Sequence, residues 1–222
     1  MARKEIIEQL RQLPIEASAA FGLRVGLRVL PWLAIEQGLF RGVKSQEDRA
    51  RYLYSVFAAF DVGLMAVLER RASGLNSVAQ KRRMEVKTVA TTATSDTNNN
   101  SLTDVDIIGL AYAVAAYATG NPISVRTSDT AVADIVSYAA TYAYDDVISE
   151  FNLQIKHDLA FLGKDRAIKL IESPIWENTP PAPWVMQSQQ FRLAVGQFGN
   201  GFVFWLEWYD ALCRGDTIDT GQ

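Results

Sequence analysis

The sequence predicts an all-α protein, a single helical bundle of about seven to nine helices with one long polar loop. Three observations carry that reading. Apolar residues recur at spacings of three and four along almost the whole chain. Proline, glycine and capping residues punctuate those runs at helix-like intervals. The composition, 49% apolar and 21% charged, is ordinary for a folded chain, and 222 residues suffice for one sizeable core.

The elements follow in order. Ile6, Ile7 and Leu10 share a face of a short first helix that Pro14 ends or restarts. From Ile15 the pattern Phe21, Val25, Leu27, Val29 and Leu30 continues to Pro31, which kinks or splits the segment before Trp32. Gly38 and Gly42 bracket a turn. Ser45 followed by Asp48 resembles a capping box and opens a helix to about Arg71, with Leu53, Val56, Phe57, Phe60, Leu64 and Leu68 facing the core. A short helix is expected over 76–83. The stretch 88–101, rich in threonine and ending in Asn98-Asn99-Asn100, has no apolar period and reads as an exposed loop or insertion within one domain of residues 1–222.

Thr103 to Asp106 marks the next helix start, and Gly120-Asn121-Pro122 its end. Ser128 or Asp129 is then placed to cap one long helix from Thr130 to about Leu162. The alanine- and tyrosine-rich segments 111–118 and 138–144 resemble each other. Small alanines let helices approach closely, and the tyrosines are expected to keep their hydroxyls near water. A helix around Arg166 to Ile171 follows, then a stiff extended linker at Thr179-Pro180-Pro181-Ala182-Pro183. Two last helices, Trp184 to about Phe198 and Phe202 to about Arg214, meet at Gly199-Asn200-Gly201. Gly215 is the expected final C-cap. Residues 174–222 thus form a tryptophan-rich helical closure.

Charge and motif content narrow the function. A net charge of −3 argues against a general nucleic-acid binder. The single cysteine, Cys213, forbids an intrachain disulfide and fits a reducing compartment. The N-terminus lacks the apolar stretch of a signal peptide, and the apolar run near 107–119 is too short to cross a bilayer, so a cytoplasmic protein is expected. One histidine, His157, cannot supply a histidine-pair metal site, and a surface or boundary place suits it best. No phosphate-binding loop or Gly-x-Ser-x-Gly elbow occurs. The acidic groups Asp104 with Asp106, and Asp145-Asp146 with Glu150, could hold a hard cation, but helix capping accounts for the first pair. No catalytic residue, metal or cofactor is assigned.

Some residues remain as candidates for binding. Arg82 and Arg83, in a basic cluster with Arg70, Arg71, Lys81 and Lys87, read as a solvated helix end or as an interaction patch. Arg24 and Arg28, four apart among apolar neighbours, call for acidic partners such as Glu36 or Asp61. Trp205, Trp208 and Leu212 form one helical stripe beside Tyr209. Such a stripe packs a core, and the same three aromatic residues could anchor a partner. Cys213 reads as a buried structural thiol.

The order Pro174-Ile175-Trp176, a proline-rich step, Trp184, an amphipathic helix, then Trp205-x-x-Trp208-Tyr209-Asp210 with Arg214-Gly215 is distinctive. It resembles a C-terminal module that recurs in uncharacterised bacterial proteins, often of alphaproteobacterial type. The early Leu23-Arg24-Val25-Gly26-Leu27-Arg28-Val29-Leu30-Pro31 is similar to that family's arginine- and leucine-rich helix. The chain departs from the pattern in being short and in carrying fewer alanines. The resemblance implies a regulatory role beside effector or signalling domains, some tied to stress or phage defence, and it transfers no catalytic residues.

The expectation is therefore a non-enzymatic helical interaction protein: a scaffold, adaptor or regulatory subunit. Its partner would be another protein, such as an effector encoded nearby, or a second copy of itself. A membrane-active effector built on the alanine-rich helices is the alternative. A carboxylate-metal helical enzyme ranks third, because di-iron bundles use two Glu-x-x-His pairs.

Overall fold

The computed structural model describes residues 2–34, 39–40, 43–68, 77–78, 80–81, 84–85, 102–119, 121–142, 145–162 and 166–216. Among them the chain forms nine bounded α-helices and no strand. These are α1 (Arg3–Leu10), α2 (Ile15–Val29), α3 (Gln46–Leu68), α4 (Leu102–Tyr117), α5 (Pro122–Tyr142), α6 (Asp145–Phe161), α7 (Ala167–Ile171), α8 (Ala182–Gly196) and α9 (Val203–Arg214). The expected all-α class is the observed one. The polar stretch 88–101 lies outside the described residues, as do Asn76, Ala79, Arg82 and Arg83 of the short helix expected over 76–83, whose residues 77–78 and 80–81 are helical.

The centre of the bundle is α2. Every residue from Ala17 to Val29 is buried, so this helix faces protein on all sides. It packs against α3, α4, α5, α6, α7 and α9. Close crossings need small residues. A Cβ at Gly26 would lie 2.4 Å from the Phe60 ring, and one at Gly63 would lie 2.1 Å from Val114 Cγ1. Both glycines thus let α3 approach its neighbours, α2 at Gly26 and α4 at Gly63. One contiguous apolar core runs from Ile6 to Leu212.

Local chemistry sets the helix ends. The Ser45 hydroxyl accepts from the Asp48 backbone N–H at 3.3 Å, as the sequence suggests. Near Pro31 the helix tightens into a 3-10 turn over Leu30–Ala34. Gly215 closes α9 with φ of +74°, and a Cβ there would meet the Ser173 carbonyl carbon at 2.5 Å, so only glycine fits.

Four expectations need correction. The helix expected from Thr130 to Leu162 is two helices, α5 and α6. The first starts at Pro122, because Asn121 Oδ1 accepts from Ile123 N at 3.0 Å and Pro122 suits the first helical turn. Ser128 and Asp129 are buried inside α5 and cap nothing. The Tyr117 hydroxyl, expected near water, is buried and donates to Asp129 Oδ1 at 2.8 Å. The proline linker ends at Pro181, since Ala182 and Pro183 already belong to α8.

The fourth correction concerns the arginine pair, whose shared partner is Asp158 on α6. Arg24 Nε donates to Asp158 Oδ2 at 3.1 Å, and Arg28 Nη1 lies 2.7 Å from the same oxygen. The second contact is an ion pair rather than a formed hydrogen bond, because its N–H directions miss the oxygen. All three side chains are essentially inaccessible. Two cations and one anion leave a net positive charge, which backbone oxygens solvate. Arg24 donates to the carbonyls of Leu170, Ser173 and Pro174 at 2.6–2.8 Å, and Arg28 Nε to that of Ile175 at 2.8 Å. Gln154 Nε2 reaches Asp158 Oδ1 at 3.3 Å.

The energetics of that cluster have a clear sign. Burial alone would raise the Asp158 pKa, but the Arg28 and Arg24 guanidiniums outweigh it and hold the carboxyl below its ordinary range. Its stabilisation is complete above the ordinary carboxylate range and is lost as pH falls through the depressed folded-state value. Asp158→Asn leaves two buried guanidiniums without their counter-ion and should cost about 3–5 kcal/mol in denaturant unfolding.

Asp106 on α4 runs the opposite way. Burial, with the neighbouring Asp134 charge, raises its pKa to about 6. Asp134 in turn pairs with Arg3, tying α1 to α5. Between the ordinary carboxylate pKa and about 6 the folded state holds the extra proton, so stability falls as pH rises through that window. Asp106→Asn should stabilise the protein at neutral pH by about 1 kcal/mol, solvent screening of a half-buried group included, and flatten the melting profile there.

Candidate partner-binding surface

The last helix carries the residues that the sequence singles out, and the fold divides them. Trp208 is 5% exposed, and Tyr209 and Leu212 are buried beside it. Tyr209 lies edge-on to Phe191, and its hydroxyl donates to the Leu27 carbonyl at 3.2 Å. Trp184 Nε1 donates to the Arg28 carbonyl at 2.9 Å. These are carbonyls at the C-terminal end of α2, where the passage into a 3-10 turn changes the backbone pairing. Trp184 and Tyr209 thus hold the closure onto the central helix, Trp208 is buried edge-on against Phe57 of α3, and neither Trp208 nor Tyr209 is available to a partner.

Trp205 sits at the boundary. It stacks on Phe57 with ring centroids 5.4 Å apart and a 15° tilt, and it meets Trp208 edge-on at 5.8 Å. Two more rings touch it from outside: Tyr54 of α3 at 5.8 Å and Phe204 at 5.3 Å, both edge-on. Phe204 is 62% exposed, and Val203 and Tyr54 are exposed as well. The side chains therefore form a graded stack: Phe57 and Trp208 inside, Trp205 between, and Tyr54 and Phe204 in solvent. Large apolar rings held this way against a rigid core lose little side-chain freedom when covered.

The other candidates fall elsewhere. Arg82 and Arg83 lie outside the described residues, as do Arg70, Arg71 and Lys87 of their cluster. The side chains of Asp104, Asp145 and Asp146 are likewise not described. His157 is a half-exposed boundary residue, its Nε2 3.6 Å from Glu177 Oε1. Burial, with the Asp210 charge, pushes the Cys213 thiol up to about 12, which leaves almost no thiolate at neutral pH. Among the described residues no three of His, Cys, Asp and Glu gather where they could hold a metal ion. Among the described residues one helix, α3, is long and apolar enough to cross a membrane, and 67% of its most apolar window is buried inside the protein.

Sequence reasoning missed Asp158 and Tyr54. Asp158 had a usable signal. Phe151, Ile155, Asp158 and Leu162 follow at spacings of four, three and four, which places the carboxylate on an apolar helix face. Tyr54 had none, since only the approach of α9 makes it part of an aromatic stack.

The graded stack has a direct test in stability. Trp208→Ala should cost about 3–5 kcal/mol, whereas Phe204→Ala should stay within about 0.5 kcal/mol, both read by chemical denaturation. Equal losses at the two positions would show that the stack is uniformly part of the core.

No protein-family model matches the chain, and no curated protein or solved structure matches it at a significant level.

Proposed function

We propose that this chain is a helical interaction protein, a scaffold, adaptor or regulatory subunit, that engages another protein through Tyr54, Val203, Phe204 and Trp205. The observation that carries the reading is the exposed Phe204 ring packed edge-on against a Trp205 that is itself stacked on the core. Aromatic anchors fixed before binding are the residues on which protein interfaces concentrate their energy. The exposed rings and Val203 fit a partner with an apolar pocket. A bacterial stress or phage-defence setting is supported only by the resemblance of the tail.

A non-enzymatic role fits the way the buried polar groups are used. Arg24, Arg28 and Asp158 are engaged with one another and with backbone carbonyls. The cysteine thiol is held protonated. A second reading, a membrane-active effector, draws on the length and hydropathy of α3, but inserting that helix would strip two-thirds of its apolar window from the core.

The deciding experiment compares affinity capture by the tagged wild-type chain, Phe204→Asp and Trp208→Ala, with melting curves for each. A stoichiometric protein retained by the wild type and lost with Phe204→Asp, at unchanged melting temperature, is the expected result. Identical captured proteins for wild type and Phe204→Asp would refute the proposed surface. Dye release from liposomes by the wild-type chain would favour the membrane reading instead.

A further inference from the structure

A cavity of about 490 Å³ opens on the opposite kind of chemistry, at the corner between α1 and α2 where the start of α5 passes beneath. Its apolar side is made by Leu13, Ile15 and Val125, and its polar side by Arg11, Arg126 and Asp129. That volume lies within the usual range for small-molecule sites.

The polar groups are unevenly satisfied. Asp129 is 1% exposed, yet among the described residues only its Oδ1 has a hydrogen-bond donor, the Tyr117 hydroxyl at 2.8 Å. Burial raises its pKa, with the Tyr117 bond and the Arg11 charge opposing that. A buried carboxylate with an unused oxygen on a cavity wall is costly in an empty site and favourable once a cationic donor arrives. Arg11 and Arg126 are exposed at the mouth, and among the described residues neither guanidinium has an ion-pair partner. Two guanidiniums at a cavity rim, with no ion pair among the described residues, are suited to a carboxylate.

We propose that this cavity binds a small zwitterion of the α-amino-acid class with an apolar side chain. Arg11 and Arg126 take the carboxylate, Asp129 Oδ2 accepts from the ammonium, and Leu13, Ile15 and Val125 cover the side chain. The site is independent of the aromatic surface, since it lies on α1, α2 and α5 rather than on α3 and α9. Ligand occupancy would fix the α1–α2 corner against α5, a contact otherwise made by Arg3 with Asp134 and by apolar packing.

Isothermal titration of the full chain at neutral pH with four probes tests the assignment. The probes are leucine, isocaproate (no amine), isoamylamine (no carboxylate) and inorganic phosphate. Leucine should bind saturably with Kd of about 1 mM or tighter, and each truncated probe at least tenfold more weakly. Arg11→Gln and Arg126→Gln should each weaken leucine about tenfold without moving the melting temperature. Asp129→Asn, which keeps an acceptor for Tyr117, should abolish the preference for leucine over isocaproate. Absence of saturable leucine binding would overturn the proposal, as would phosphate binding as tightly as leucine, or either arginine variant binding leucine like the wild type.

Discussion

Two arginines on a helix buried on every side can exist only if the rest of the chain supplies their counter-charge and acceptors. That constraint organises this fold. Asp158 gives one negative charge to two guanidiniums, and the carbonyls of Leu170, Ser173, Pro174 and Ile175 supply the remaining solvation. A lysine could not replace either arginine, because one ammonium cannot reach a carboxylate and several carbonyls in the planar fork that these distances require. The cluster is worth less as stabilisation than as specification: one arrangement of α2, α6 and the 170–175 segment brings both guanidiniums to their carboxylate and carbonyls, and sliding any of them leaves a charge stranded.

The exchange is reciprocal. While α2 sends its arginines to carbonyls in the last turn of α7 and just after it, the closure sends Trp184 and Tyr209 to the carbonyls of Arg28 and Leu27. Ile175 N donates to the Cys213 carbonyl at 3.0 Å, so the segment held by the arginines also holds the end of α9. Trp205 and Phe204 sit on that same helix, whose C-terminal half is fixed through Tyr209 and Cys213.

Periodicity and capping chemistry made most of the helices readable, because both are local. Ser45, Pro31 and Gly215 act within a few residues of where they stand, and they do what their residue types suggest. Two misses, the start of α5 at Pro122 and the end of the linker at Pro181, are local misreadings of proline; in the others a distant group overrode a local one. Asp129 looks like a cap in its own neighbourhood, but Tyr117 from another helix claims it. Asp61 and Glu36 lie nearer in sequence to the arginines than Asp158 does, yet the pairing spans 134 residues. The aromatic tail was ambiguous for a further reason: a stripe at helical spacing says which residues share a face, not how far the neighbouring helix covers it. Trp208 and Trp205 differ only in that coverage.

The long span of the arginine contacts bears on how the chain is made. Synthesis proceeds from the N-terminus, so α2 is complete well before Asp158 and the carbonyls of the 170–175 segment have been added. Until then any collapse that encloses α2 would bury two uncompensated charges, at a cost that apolar packing of a partial chain cannot meet. The nascent N-terminal half is thereby kept from settling into a closed but wrong bundle. The arginine cluster is complete only with the C-terminal third, and long-range contacts of this kind are the ones that slow folding.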